Sequence, residues 1–352
     1  MPAPGSSLAE RLLAWFDTHG RHDLPWQHPR TPYRVWLAEI MLQQTQVQTV
    51  LPYYTRFLDA LPDLPSLAAA EHDTVMALWA GLGYYARARN LHRAAKLCVE
   101  QHGGELPSDI EALSALPGIG RSTAGAILAQ AHGQRHAILD GNVKRLLCRL
   151  HSIEGWPGTT TVQKRLWQLS ESHLPSARLA DYTQAIMDFG ATLCRRSNPD
   201  CDRCPLQSDC IAFHQGRSAE LPQPRPGKPL PQRHTWMLLL HDNAGRILLQ
   251  QRPPSGIWAG LWSLPEAADH IDARHSLARH AEADFDSFET LPTIEHTFSH
   301  FKLQIEPLRW YGCRPRAAVG DNDGTRWFDR DALQCVGLPA PIRRLLQSAV
   351  DP

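Results

Sequence analysis

Residues 116–145 read LPGIGRSTAGAILAQAHGQRHAILDGNVKR, and the helical half of the chain is organised around them. Gly118 and Gly120 predict a tight turn between two helices. Backbone N–H groups at such a turn can bind a phosphate together with the positive end of the helix dipole, although helix-to-helix turns also use glycines without any ligand. Asp140 precedes the next helix and is expected to cap it, which holds an ionised carboxylate at a fixed position.

A proline-rich segment divides the 352 residues into two domains. In residues 1–214 apolar side chains recur every three or four positions, which predicts an all-α domain with a helix-hairpin-helix at 116–127. Residues 215–232 hold five prolines and no aromatic residue, a composition typical of an extended linker. Residues 233–352 combine strand-like runs around an Asp-Asn-Ala-Gly turn with two helical segments. The sequence therefore predicts a multidomain chain, all-α followed by α+β.

The charge and the hydropathy of the sequence limit where the protein is located and what it binds. The 36 Lys and Arg residues balance 36 Asp and Glu residues, so any surface for nucleic acid must be local. One stretch carries Arg87, Arg89, Arg93 and Lys96 without an acidic residue. These side chains form either a solvated face or a surface for a phosphate backbone. Neither a secretory signal nor a membrane-spanning run is recognisable, which predicts a cytoplasmic protein.

Four cysteines are clustered with the spacing C-x6-C-x2-C-x5-C, at Cys194, Cys201, Cys204 and Cys210. Four thiolates this close in sequence can surround one tetrahedral centre. Structural zinc usually has paired C-x2-C motifs, whereas this uneven spacing is typical of a loop that holds a [4Fe–4S] cluster. We predict the cluster, with zinc and unligated thiols as alternatives. The remaining cysteines are scattered and are expected to be ordinary thiols: Cys98, Cys148, Cys313 and Cys335.

Glu39 lies in the apolar run VWLAEIMLQQTQV, followed at helical spacing by Gln43 and Gln46. An exposed stripe on an amphipathic helix explains this pattern without any function. The alternative is a site for a nucleobase, because three glutamines and Thr45 supply neutral hydrogen-bond donors and acceptors with no lysine among them. Both interpretations predict that one helix continues through these residues.

Five motifs, in this order, resemble the MutY family of adenine DNA glycosylases in the helix-hairpin-helix superfamily: LAEIMLQQTQV, GLGYYARARNLH, LPGIGRSTAGAI, ILDGNVKR and the four-cysteine loop. The resemblance extends to HTFSHF and covers nearly the whole chain. It implies an enzyme of base excision repair that binds duplex DNA, extrudes an adenine paired with 8-oxoguanine or guanine, and hydrolyses its N-glycosidic bond. It also implies a monomer without a membrane partner, nucleoid-associated if bacterial.

The resemblance assigns catalytic roles to Glu39 and Asp140. Glu39, with a pKa raised by its apolar setting, would protonate N7 of the leaving adenine, and ionised Asp140 would stabilise the oxocarbenium-like sugar. Asn142 would help to position Asp140 and the water, with Ser122 beside them. Further residues are expected at the DNA or in the adenine pocket: Trp26, Gln43, Gln44, Thr45, Tyr84, Gly118, Gly120, Lys144 and Gln184.

Ser122 distinguishes two related activities. Endonuclease III-like enzymes resemble this chain through the hairpin and the cysteine loop, but they carry a lysine nucleophile where Ser122 stands. Without that amine no efficient Schiff base can form there, so we predict a monofunctional glycosylase with at most weak strand cleavage through nearby Lys144. Two alternatives stay open: an endonuclease III-like glycosylase/lyase, and a noncatalytic module that binds mispairs.

The second domain, residues 233–352, resembles the Nudix fold through GIWAGLWSLPE. After Glu266 it lacks the paired glutamates of the R-E-x-x-E-E segment that would bind magnesium, so nucleotide hydrolysis is not expected. By the family resemblance this domain recognises 8-oxoguanine, with Phe298, Ser299 and His300 in the loop that touches it. Taken alone, Phe298 is more typical of strand packing and His300 of an ordinary surface position.

Overall fold

The computed structural model describes residues 6–227, 229–316 and 324–348, and its contacts define two units. The first unit comprises Met1–Ala68 and Arg93–Gly227, and the second comprises Ala69–His92 and Lys228–Pro352. Residues 69–92 have a helical pattern and were expected in the N-terminal domain, but they contact the C-terminal half. Tyr85 Oη, for example, donates a hydrogen bond of 3.2 Å to the Leu338 carbonyl oxygen.

Helices form most of the first unit and recur in the second. In chain order they are α1 (Leu8–His19), α2 (Pro32–Leu42), α3 (Val47–Ala60), α4 (Leu64–Ala69), α5 (His72–Trp79), α6 (Ala86–Gln101), α7 (Ile110–Ala115), α8 (Arg121–His132), α9 (Gly141–Leu150), α10 (Thr160–Ser172), α11 (Leu179–Thr192), α12 (Ile211–His214), α13 (His270–His280) and α14 (Ala340–Ser348). None of the described helices is long and apolar enough to cross a membrane.

Local signals explain where several helices begin. Ser7 Oγ accepts a hydrogen bond from Glu10 N, and the Glu10 carboxylate accepts one from Ser7 N, so a capping box starts α1. The Thr31 side chain caps α2. Asp140 caps α9 by accepting a hydrogen bond from Val143 N, as its position before DGNVKR predicts.

The core of the first unit joins α1, α9 and α11. Phe16, Leu147 and Phe189 are buried in it almost completely. Each such side chain contributes about 1.5–3 kcal/mol relative to an exposed position. α2 packs on α8, and α8 packs on α11, so the N-terminal ends of α8 and α9 are held in the same region as α2.

A mixed sheet forms the centre of the second unit. Its strands are β1 (Gln232–Asp242), β2 (Ile247–Gln251), β3 (Trp262–Ser263), β4 (Glu266–Ala267), β5 (Ala281–Glu282), β6 (Glu289–Thr290), β7 (Ile294–Thr297), β8 (Lys302–Pro315) and β9 (Thr325–Phe328). In the order β3-β2-β1-β8-β5, the pair β1–β8 is parallel and the other neighbours are antiparallel. β4 pairs with β1, β6 and β7 pair with β8, and β9 pairs with β2.

The sheet and α13 enclose the core of the second unit, in which Leu238, Leu277 and Trp310 are buried. The predicted turn between β1 and β2 is present, and Asp242 Oδ1 accepts hydrogen bonds from Ala244 N at 2.9 Å and Arg246 N at 2.8 Å. The predicted all-α and α+β parts are both confirmed.

Candidate active site

A cavity of about 800 Å³ opens within the first unit, between α2, the loop after α2, and the N-terminal ends of α8 and α9. Its size is typical of a small-ligand site. Residues of α11 complete the wall. Nine residues that the family resemblance assigns to the site line it: Trp26, Glu39, Gln43, Gln44, Thr45, Ser122, Asp140, Asn142 and Gln184.

Glu39 is half-buried on α2 and accepts a hydrogen bond of 3.2 Å from Gln130 Nε2. Burial raises the pKa of Glu39 to about 7, and the negative charge of Asp140 acts in the same direction, whereas the Gln130 amide opposes both. A carboxyl group with this pKa can hold and release a proton near neutral pH. Glu39 is therefore no part of a solvated helical stripe.

The expected continuous helix through Gln43 and Gln46 is wrong. α2 ends at Leu42, and α3 begins only at Val47. Gln44 has a φ of 60°, in the left-handed region that a right-handed helix cannot contain. The break turns residues 43–46 into the edge of the cavity instead of leaving them on one helix face.

Asp140 is held by hydrogen bonds on both carboxylate oxygens. Oδ1 accepts from Val143 N at 2.8 Å, and Oδ2 accepts from Asn142 Nδ2 at 3.1 Å. Burial raises the pKa of Asp140, while these bonds and the Arg145 guanidinium favour its charged form. The hydrogen bonds and Arg145 stabilise the charged form of Asp140, whereas the charge of Asp140 raises the pKa of Glu39.

Arg145, which the sequence analysis missed, fixes the residues around Asp140. Its guanidinium donates to Asn142 Oδ1 at 2.8 Å, to the Gly190 carbonyl oxygen at 2.5 Å and to the Cys194 carbonyl oxygen at 2.8 Å. A Cβ atom at Gly190 would lie 2.6 Å from Asn142 Cβ, so α9 and α11 approach too closely there for any side chain. Asn142 is thus held from two sides.

Ser122 lies in the first turn of α8, where its hydroxyl oxygen accepts a hydrogen bond of 2.9 Å from Leu139 N. This bond ties the start of α8 to the segment before Asp140. Lys144 on α9 is half-buried and is absent from the residues that line the cavity.

The glycine hairpin lies outside the cavity. Gly118 has a φ of 80° and both Gly118 and Gly120 are exposed. Gly120 is the N-cap of α8, and no side chain caps the N–H groups of its first turn. Open space surrounds the position where a Cβ atom of Gly120 would be, so an anion could approach these donors closely.

The four clustered cysteines line a second cavity, together with Arg149. Burial, and then the neighbouring thiols, raise the pKa of Cys204 to about 12. Arg149 is 2 % exposed and donates to the carbonyl oxygens of Leu221 at 2.8 Å and Arg195 at 2.7 Å. Within the described residues no three His, Cys, Asp or Glu side chains meet the geometry of a metal site.

The scattered thiols are ordinary in the structure as well. Cys98, Cys148 and Cys313 are buried, and burial raises the pKa of each to about 11. The side chain of Cys335 lies outside the described part of the chain.

In the second unit, Phe298, Ser299 and His300 form the turn between β7 and β8. Phe298 N donates a hydrogen bond of 2.8 Å to the Phe301 carbonyl oxygen and closes the turn. The Phe298 ring stacks on Phe301 at 4.6 Å and contacts Trp258 at 5.5 Å. Ser299 and His300 are exposed. Aromatic packing thus holds the turn, and its two polar side chains face solvent.

Similar proteins identify the family. A relative from Buchnera aphidicola (subsp. Baizongia pistaciae), named adenine DNA glycosylase, is 35 % identical over 96 % of this chain and 95 % of its own. The chain belongs to the adenine DNA glycosylases. The human adenine DNA glycosylase is 34 % identical over 96 % of this chain and 72 % of its own. This enzyme is accordingly a DNA N-glycosylase of base excision repair.

Two family models match separate parts of the glycosylase. Residues 37–172 match the HhH-GPD superfamily of base excision DNA repair proteins, and residues 235–348 match the NUDIX domain. A solved thermostable thymine-DNA glycosylase is 26 % identical, with a TM-score of 0.52 over 59 % of this chain and 95 % of its own. An endonuclease III in a non-covalent DNA complex shares the fold, at 22 % identity and a TM-score of 0.51 over 59 % of this chain and 94 % of its own.

The expectation that the basic run after Tyr85 forms one surface for the DNA backbone is wrong for two of its four residues. Arg87 is 8 % exposed, and its guanidinium donates to the carbonyl oxygens of Leu82 and Gly83. Burial lowers its pKa to about 10. Arg89 is half-buried and donates to the Ala259 carbonyl oxygen at 2.6 Å. Helical spacing alone cannot distinguish a solvated cation from one that binds carbonyl groups.

Tyr84, also in the second unit, is 51 % exposed and has a φ of 49°. The Arg87 guanidinium lies 5.4 Å from its ring centre. An exposed tyrosine fixed in a left-handed backbone conformation is costly unless its surroundings maintain it.

Proposed function

We propose that this glycosylase removes adenine that stands opposite 8-oxoguanine or guanine in duplex DNA, by general acid catalysis on an extruded nucleotide. One observation carries the proposal: a carboxyl group with a pKa of about 7, Glu39, shares a nucleotide-sized cavity with a hydrogen-bonded second carboxylate, Asp140. Two carboxyl groups with different protonation are the usual requirement for cleaving a glycosidic bond.

In the proposed reaction, protonated Glu39 donates its proton to N7 of adenine as the bond between C1′ and N9 breaks. The electron pair of that bond leaves with the base, and positive charge develops on the deoxyribose. The Asp140 carboxylate stabilises this charge. A water molecule then adds to C1′ and loses a proton to solvent, from which Glu39 is reprotonated, and an abasic site and free adenine remain. Asn142, fixed by Arg145, keeps the Asp140 carboxylate in place.

The adenine must leave the base stack before the reaction, at a cost of a few kcal/mol. We propose that Gln43, Gln44 and Tyr84 fill the space that the extruded adenine leaves in the base stack. Trp26, which is 3 % exposed and packs edge-on against Tyr54, and Gln184 would form the pocket for the base. The N–H groups at Gly118 and Gly120 would bind a flanking phosphate, with Thr45 and Lys144 near the strand.

The turn at residues 298–300 is assigned to the base opposite the adenine. Its exposed Ser299 hydroxyl and His300 imidazole can donate and accept hydrogen bonds, and Phe298 anchors the turn. Nucleotide hydrolysis is not proposed for the second unit. In α13 the Asp269 carboxylate caps the helix, and Asp272 accepts a hydrogen bond of 3.0 Å from Ala268 N, so these acids serve the helix end.

We propose a monofunctional enzyme because Ser122 offers no amine and its oxygen is occupied by Leu139 N. An endonuclease III-like lyase would form a Schiff base with the abasic sugar. Borohydride would then trap the protein covalently on DNA, and efficient trapping would favour that alternative.

We propose that the four clustered cysteines hold a [4Fe–4S] cluster, because all four line one cavity that Arg149 borders. When bound, the cluster would supply structural rigidity to the loop. Arg195, Arg196 and Arg203 are exposed on this loop and would contact phosphates. A brown protein with about four iron and four sulfide per chain is expected; a colourless protein with stoichiometric zinc would contradict the assignment.

The experiment that tests the proposal is single-turnover base release from duplexes that place adenine opposite 8-oxoguanine, guanine or thymine. We expect release opposite 8-oxoguanine and guanine, fastest opposite 8-oxoguanine, and little opposite thymine. Tight duplex binding without any base release would favour the noncatalytic alternative.

A further inference from the structure

Gln130 on α8 is a buried glutamine that the mechanism above does not use. It is 4 % exposed, and its Nε2 donates a hydrogen bond of 3.2 Å to Oε1 of Glu39. Its own Oε1 is buried and accepts no hydrogen bond within the described residues. A buried acceptor without a donor costs free energy, so the contact of its NH₂ group with Glu39 is the polar interaction that stabilises this amide.

Gln130 contacts Glu39 from outside the cavity. Glu39 lines the cavity, whereas Gln130 is absent from its lining. Oε1 of Glu39 is therefore bound on the side of α8, and Oε2 makes no hydrogen bond within the part of the chain that the structure describes. This leaves Oε2 as the oxygen that can face a ligand in the cavity.

The direction of the Gln130 amide determines which oxygen of Glu39 can carry a proton. An ionised carboxylate has no hydrogen to donate, so it requires the NH₂ group of the amide. When Glu39 is protonated, the same NH₂ group still donates to Oε1, and the hydrogen is on Oε2. A reversed amide would accept a hydrogen from Oε1 instead, which would turn the proton toward α8 and away from the cavity.

We propose that Gln130 is a positioning residue for the acid: its NH₂ group holds Oε1 of Glu39, so that the transferable proton is on Oε2, and it stabilises the carboxylate that remains after the transfer. When Oε2 gives its proton to N7 of adenine, the negative charge spreads over both oxygens of Glu39. The hydrogen bond to Oε1 then becomes charge-assisted and stronger. This inference rests on the proposed function and adds a residue that determines the strength of its acid.

Gln130 differs from the charged groups around Glu39 by its direct contact. The charge of Asp140 raises the pKa of Glu39, whereas the hydrogen bond from Gln130 lowers it. The other charged groups of α2, the cavity wall and the surrounding helices are Arg34 on α2, Arg21, Arg145 and Arg196 in the wall, Arg56 and Asp59 on α3, Arg121 and His132 at the two ends of α8, and Asp181 and Asp188 on α11. None of them makes a hydrogen bond to Glu39 within the described residues.

The test is Gln130→Met, which keeps the approximate volume of the side chain and removes the donor. The titration of Glu39 is read in the free enzyme from the ¹³C carboxyl signal that is missing in Glu39→Gln, and in the reaction from the alkaline limb of single-turnover adenine release. We expect both midpoints to rise by about one pH unit, because the ionised form loses its hydrogen bond. Release at the acidic plateau should slow about three- to tenfold, because Glu39 becomes a weaker acid.

Gln27→Met is the matched control. Gln27 is also buried, at 2 % exposure, but it donates to the Arg21 carbonyl oxygen at 2.9 Å and does not line the cavity. This variant should leave both midpoints in place. If Gln130→Met slows release equally at every pH and keeps the midpoints, Gln130 has only a packing role and the inference is overturned. Lower midpoints would show that the amide holds the protonated form instead, which would also overturn it.

A measurement on the wild type covers the case in which Gln130→Met does not fold. One NH₂ hydrogen of Gln130 should shift in the NMR spectrum with the same midpoint as the Glu39 carboxyl signal, because it donates to the group that titrates. A hydrogen signal that does not follow the titration of Glu39 would overturn the inference. If the wild type releases no adenine at all, the proposed function itself fails, whereas unmoved midpoints with an active wild type reject this inference alone.

Discussion

The cavity of the first unit and the turn at residues 298–300 of the second hold their polar groups by different means. In the cavity, Glu39 and Asp140 are fixed by hydrogen bonds from Gln130, Asn142 and Val143 N. At the turn, the contacts are aromatic, and Ser299 and His300 are left exposed. Buried networks shift pKa values and suit bond cleavage, whereas exposed polar groups on a packed turn suit recognition. Changes in the cavity should therefore affect the rate, and changes in the turn should affect selectivity.

Among the substitutions that leave Glu39 unchanged, Asp140→Asn should produce the largest loss of activity. Asparagine caps helices as well as aspartate, so the start of α9 and the melting temperature should be retained. The negative charge facing the sugar disappears, and single-turnover release should fall roughly 10²–10³-fold. A loss of less than tenfold with normal folding would show that this charge is not needed.

The second-largest expected effect is the pH dependence of the wild-type rate. Glu39 must be protonated to act as the acid, and its pKa is raised to about 7. The rate should therefore be maintained below about pH 7 and decline about tenfold per pH unit above it. Asp140 must be ionised, and since burial raises its pKa, the acid limb should lie above the usual range of an aspartate. A rate that stays constant between pH 7 and pH 9 would contradict this assignment.

Ser299→Ala should change selectivity by about tenfold, the equivalent of one hydrogen bond. Release of adenine opposite 8-oxoguanine should slow, and release opposite guanine should change much less. Ser287→Ala is the control, since Ser287 is an exposed serine of the same unit whose hydroxyl donates to the Asp284 carbonyl oxygen. Equal slowing on both duplexes would assign Ser299 to folding of the turn instead of recognition.

Substitutions in the basic run should have the smallest effects on activity. Its buried members should support the fold, and its exposed members should contact the duplex. Arg87→Met leaves two carbonyl groups without their donor and should lower the free energy of unfolding by about 1–3 kcal/mol. Lys96→Met, at an exposed position, should leave stability unchanged and weaken duplex binding a few-fold at low salt. Equal melting temperatures of the two variants would contradict this division.

The sequence predicted the elements that depend on local chemistry. The cap formed by Asp140, the glycine hairpin and the turn after β1 follow from residues that are adjacent in the chain. The family resemblance selected nine residues that line the cavity. These successes rest on motifs that are contiguous in sequence.

Other features depend on packing and could not be read from spacing. Glutamine has no preference for the left-handed backbone conformation that Gln44 adopts after α2. The burial of Arg87 requires carbonyl groups that only the folded chain supplies. Gln130 acts on Glu39, which is 91 residues away in the chain. A single glutamine in the apolar run AGAILAQA was the one available signal for Gln130.

The most direct test of the account is Glu39→Gln, measured by single-turnover adenine release opposite 8-oxoguanine and by duplex binding in parallel. The substitution keeps the shape of the side chain and removes the proton that Glu39 is proposed to donate. We predict that release falls roughly 10²–10⁴-fold, whereas binding stays within a few-fold of the wild type. Near-normal release by the variant, or an equal loss of release and binding, would contradict general acid catalysis by Glu39.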